Sequence, residues 1–305
     1  MINAKAIFSR IGLSFFILMM VQQFVVYILY IAIYIVNPTL TEQGWFIWVI
    51  SYVPLYLVAF PVFLGVTTTI PNHAPNTSVR MKPSVIQMLK IFPISIAAAY
   101  ILNMIATALS YLVELIRGTG IENPLESVLS NSNPWVNLLF VVIIAPIMEE
   151  IIFRRILYRK LIIFGPKVYV IFSSILFAAF HANLYQFAYA FVLGVIFAML
   201  THRSGTIRYS IIMHMAVNFS MGGLGSLLQS LDNEAILNYY SMIILGVVLL
   251  GIILGIRWFL KERKNYVFEP GMVITPTKRE MYLNPGMILF LVLILLLTAA
   301  NMISV

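Results

Sequence analysis

The 305-residue chain is 61% hydrophobic and 10% charged, with a mean hydropathy of +0.97; a soluble domain carries about 25% charged residues, so this is a polytopic membrane protein. The absence of cysteine excludes disulfides, thiolate metal sites and cysteine nucleophiles. A net charge of +8, from 19 Lys and Arg against 11 Asp and Glu, matches basic cytoplasmic loops, and no RNA- or DNA-binding pattern accompanies it, so no nucleic-acid partner is expected.

Nine apolar spans follow in chain order. The first, roughly 11–36, follows Lys5 and Arg10; it is too long for a signal-peptide core and no small-residue cleavage site follows, so it reads as a retained helix. The second, 45–66, is interrupted by Pro54 and Pro61, and a polar, proline-rich loop with Arg80 and Lys82 covers 67–84. Span three is 88–116, followed by a polar loop, 117–134, with Pro124, Pro134, Glu122 and Glu126. Span four starts near Trp135 and runs to about Phe164, where Gly165 and Pro166 break it. Span five is 167–182 and span six 185–200, followed by His202, Arg203 and a Ser204–Gly205 turn. Span seven, 206–219, is short and is closed by Gly222, Gly223 and Gly225; span eight is about 236–260, a basic loop covers 261–284, and span nine is 287–305.

With the N-terminus in the cytoplasm, the inner loops hold Arg80 and Lys82, then Arg159, Lys160 and Lys167, then Arg203 and Arg208, then the cluster from Lys261 to Arg279. The outer loops hold Arg117 as their only basic residue, so the positive-inside asymmetry is satisfied at every loop. The expected fold is therefore an all-α polytopic membrane protein of about eight to nine transmembrane helices. It divides into N-terminal helices with their loops (1–134), a central segment (135–222) and C-terminal helices with a basic cytoplasmic loop (223–305). No sequence repeat suggests a transporter built from two similar halves.

The central segment places ionisable groups where lipid makes them costly, on the order of 3 kcal/mol each on insertion scales. Glu149 and Glu150 precede Arg154, and His181, His214 and Asn218 follow. In a helix Glu150 and Arg154 are four residues apart and share a face, whereas Glu149 lies about 100° away and faces another element. Pro146 loosens the turn before the pair. A purely structural ion pair accounts for Glu150 and Arg154 but leaves Glu149 over.

Gly165 lies sixteen residues after Glu149 and sixteen before His181, so a helical hairpin returns both side chains to one depth, about 24 Å along each arm. Rising from the Ser204–Gly205 turn, His214 and Asn218 stand about 14 and 20 Å up and share a face. Glu149 with His181 can hold and deprotonate a water, while His214 and Asn218 can donate to a developing oxyanion. The alternative is a zinc site built from Glu149, His181 and His214 with an open position for water, although the HExxH signature is missing. Either scheme suits amide hydrolysis.

At these residues the chain resembles the CAAX-protease and bacteriocin-processing group, the Abi family of intramembrane proteases. Its motifs EExxxR, FxxxH and HxxxN stand here in order as Glu149-Glu150-x-x-x-Arg154, Phe177-x-x-x-His181 and His214-x-x-x-Asn218, within about 136–219. The resemblance implies a CAAX-protease-like helical bundle in which Glu149 acts on water with His181, His214 and Asn218 stabilise the oxyanion, and Glu150 and Arg154 support them. It also implies a membrane-associated peptide or protein substrate: prenylated C-terminal tails in eukaryotic relatives, and peptide precursors or self-immunity to peptide toxins in bacterial ones. The family has been described both as metalloproteases and as glutamate proteases, so no cofactor is fixed. The expected location is the bacterial plasma membrane.

Two other readings use the same residues. A non-catalytic scaffold or regulator of the same fold would be free to lose Glu149 or a histidine, and a proton-coupled carrier would not gather its ionisable groups in spans four, five and seven. His73 and His202 match no motif and are expected as surface loop residues, and Asn183 as a turn residue.

Overall fold

The computed structural model describes residues 3–73, 81–118, 123–261 and 275–303, and everything regular among them is helical. Helix α1 (Ala4–Val36) starts where the Asn3 side chain accepts the Ala6 amide. After a 3-10 turn at Pro38–Glu42 comes α2 (Phe46–Thr68), which runs through both of its prolines instead of breaking. At Pro54 it widens into a π turn, Pro54–Ala59, because the proline has no N–H to give the regular ladder. The Ser84–Gln87 capping box starts α3 (Val85–Arg117), which ends at Gly118 in the left-handed conformation.

The polar loop after α3 contains a short helix, α4 (Pro124–Asn131), nucleated by Asn123 as cap and Pro124 at the first position. There follow α5 (Pro134–Phe164), α6 (Pro166–Phe180), α7 (Leu184–Ser204), α8 (Arg208–Gln229) and α9 (Glu234–Lys261). The basic loop carries a five-residue helix, α10 (Lys278–Tyr282), capped by Thr277 and Glu280, and α11 (Pro285–Ile303) closes the chain. Seven of these helices are long and apolar enough to cross a membrane, and α6 and α11 are shorter apolar helices at the fifth and ninth expected positions. The glycines expected to close the seventh span do not. Gly222 and Gly223 lie in a π turn, Phe219–Gly223, and α8 continues beyond them.

Large exposed apolar side chains along α1, α3 and α9 face outward, as lipid contact requires. Inside, Phe15 of α1 holds four elements together: its ring lies 5.1 Å from Phe63 of α2, 5.3 Å from Phe153 of α5 and 5.7 Å from Phe290 of α11. Close crossings use small residues. A Cβ on Gly286 of α11 would stand 1.8 Å from the Ser9 carbonyl oxygen of α1, and one on Gly12 would stand 2.4 Å from the Met287 nitrogen. A smaller core of Ile96 and Ala99 from α3, Leu193 and Phe197 from α7, and Met213 and Val217 from α8 backs the ionisable residues.

Candidate active site

Glu149 and Glu150 end a single α-helical turn and a half, Ala145–Glu150, set between two π turns of α5, Leu138–Ile144 and Ile151–Ile156. The geometry traces to Pro146. Ala145, which in a regular helix would donate to Val141, donates to Phe140 instead, and Pro146, next in line, has no N–H. The orphaned Val141 carbonyl is taken by the side-chain amide of Asn218, at 2.9 Å, so α8 is clamped to α5 about two turns before the glutamate pair.

Four ionisable side chains form one continuous chain. Arg154 Nε lies 3.5 Å from Glu150 Oε2, Glu150 Oε1 lies 3.2 Å from His214 Nδ1, and His214 Nε2 lies 3.6 Å from Glu149 Oε2. Arg154 and Glu150 are fully buried and His214 nearly so, whereas the Glu149 side chain is 15% exposed. Beyond this one anion the buried guanidinium meets rings and a carbonyl: its carbon sits 4.3 Å over the Phe177 ring, with Phe153 and Phe197 at 5.7 and 5.8 Å, and Nη2 donates to the Gly194 carbonyl at 3.4 Å, while Nε and Nη1 make no hydrogen bond among the described residues. Phe197 also stacks on His214 at 4.7 Å.

His181 caps the end of α6 instead of lying inside it. Its Nδ1–H donates to the Phe177 carbonyl at 2.8 Å, which leaves Nε2 as the ring nitrogen not committed to that bond. The structure thus brings together Glu149, Glu150, Arg154 and His214 directly, and joins Asn218 to the backbone of α5. His181 meets them through Phe177, whose ring lies 4.9 Å from His181 and 5.8 Å from His214. Among the described residues no three His, Asp or Glu side chains are grouped closely enough to hold a metal ion.

Other participants escape a motif reading. Asn137 is fully buried in α5, accepts from Trp48 Nε1 of α2 at 2.8 Å, and donates to the Leu129 carbonyl at 2.9 Å and to Ser226 Oγ of α8 at 2.8 Å. An asparagine near the start of an apolar run was its only signal. Tyr52 and Tyr56 of α2 and Tyr189 of α7 lie within electrostatic reach of Glu149. Asn183 is a helix cap, accepting the Tyr185 amide at 2.9 Å, in line with its expected turn role. His202 and His73 are half-buried instead of surface residues: His202 pairs with the Tyr158 hydroxyl at 3.1 Å, and His73 donates its amide to the Arg159 carbonyl at 2.7 Å.

Residues 131–220 match the family model described as type II CAAX prenyl endopeptidase Rce1-like. The matched segment contains all six ionisable and amide residues of the site, and the resemblance to the CAAX proteases holds over it. No curated protein and no solved structure matches the chain.

Proposed function

We propose that this integral membrane protein is an endopeptidase of the CAAX type, hydrolysing a peptide bond in a membrane-associated peptide or protein. The observation that carries this reading is the chain from Arg154 through Glu150 and His214 to Glu149, which ends on a single partly accessible carboxylate. A structural ion pair would end at Glu150; here two more groups continue it to a surface that a water can reach.

In this reading Glu149 takes a proton from a water whose oxygen attacks the scissile carbonyl carbon, with the lone pair on His181 Nε2 holding or sharing that proton. His214 Nε2 stands too far from Glu149 for a hydrogen bond, so it is left to act on the oxygen that becomes the oxyanion. Asn218 contributes its second amide N–H, the first being committed to Val141. Collapse of the tetrahedral adduct breaks the C–N bond, and the proton held by Glu149 passes to the departing amine. Glu150 and Arg154 support His214 from behind.

The substrate class suggested by the matched segment is a prenylated C-terminal peptide. The test is incubation of the purified full chain with a farnesylated CAAX peptide, with mass spectrometry of the products, for wild type and His181→Ala, with and without a strong chelator. A farnesylcysteine-ended product from wild type and none from the variant supports the reading, and the chelator arm separates metal-dependent from glutamate chemistry. Absence of cleavage in wild type, or equal cleavage by the variant, refutes it.

A further inference from the structure

Among the described residues only Ala182 and Asp232 are non-glycine residues with positive φ, and Ala182, at φ 46°, directly follows His181. An alanine pays for this left-handed conformation with a Cβ clash, so its surroundings must hold it there. On one side α6 ends, with the Ala182 amide donating to Ala179 at 3.0 Å; on the other, Asn183 caps α7. The carbonyl of Ala182 is bound from far along the chain. Asn301 Nδ2, on α11, donates to it at 3.1 Å across 119 residues. Asn301 lies in the last turn of a helix that is apolar from Met287 to Ala300 apart from Thr298, and the Gly12–Gly286 crossing and Phe290 fix that helix against α1.

We infer that Asn301 is a positioning residue for His181. Holding the Ala182 carbonyl fixes the left-handed residue, and with it the direction in which His181 leaves α6. This gives the C-terminal helix, which lies outside the matched segment 131–220, a part in the reaction proposed above, and its catalytic consequence rests on that proposal.

The test uses the full chain with Asn301→Leu, which keeps the side-chain size and removes the donor, and Asn301→Leu combined with Ala182→Gly, since glycine adopts the left-handed conformation without strain. The chain has four histidines, so the 15N signals of the His181 ring can be followed separately. Asn301→Leu is expected to shift those signals and to lower kcat about tenfold or more with KM little changed, as a small misplacement of a reacting group does. The added Ala182→Gly is expected to restore much of both. Unchanged His181 signals in Asn301→Leu overturn the inference, whether or not activity or thermal stability falls. If wild type cleaves no peptide, the ring signals still decide it, so its failure is distinct from failure of the peptidase reading.

Discussion

Arg154 and Glu150 are held at zero exposure, where neither charge can fall back on solvent. Removing one leaves the other uncompensated, and Glu150→Ala is expected to cost about 3–5 kcal/mol in denaturant unfolding of the purified protein. Glu149 is the contrasting case, because its longer contact to His214 and its partial exposure make it a small contributor to stability. The pairing of Glu150 with Arg154 was legible in the sequence because a four-residue spacing puts both on one face in nearly any helix. The bond from Asn218 to Val141 was not, since it exists only because Pro146 and a π turn leave that one carbonyl without a partner. Nor was the partnership of Glu149 with His214: equal spacing from Gly165 sets Glu149 level with His181, whereas the lateral order of the helices, which spacing does not encode, sets His214 beside it.

At the scale of elements, α8 must lie close to α5 for the charged chain to close. A Cβ on Gly223 would stand 2.6 Å from Val142 Cγ2 and 2.9 Å from Leu138 Cδ2. Gly223→Val is therefore expected to push α8 away, lowering both cleavage and the unfolding midpoint, whereas Gly246→Val, with nothing within 4 Å, leaves both unchanged. Glycines read as the end of a span turned out to be a packing device, and hydrophobicity alone could not separate the two uses. Outside the membrane, the Thr277 amide and hydroxyl both donate to Glu280 and hold its carboxyl below the ordinary value of 4.5. A depressed pKa stabilises the folded form above the unfolded value, so the α10 cap is complete at neutral pH and is lost as pH falls through the folded value, below 4.5. Amide exchange in α10 should accelerate there, and in Glu280→Ala it should already be fast at neutral pH.

At the scale of the whole molecule, all nine expected spans correspond to apolar helices, because runs of this hydropathy leave few alternatives to a helix in lipid. Their ends shift where a cap decides, as at Phe180, which comes two residues before the expected end of span five, and at Ala4, where the Asn3 cap starts the first helix seven residues ahead of the expected span. The basic-loop pattern predicts an N-terminus in the cytoplasm. The chain contains no cysteine, so single cysteines report sidedness directly: Arg203→Cys is expected to react with a membrane-impermeant thiol reagent only from the cytoplasmic side, and Glu42→Cys only from the other. The reverse pattern would invert the topology.

In the proposed reading Glu149 performs the chemistry while Glu150 and Arg154 hold the fold. The most direct test is the rate of cleavage of a farnesylated CAAX peptide by wild type and Glu149→Gln, with the unfolding midpoint of each measured on the same preparations. A loss of about 100-fold or more in rate, with the midpoint little changed, is expected. A Glu149→Gln protein that cleaves as wild type does would contradict it.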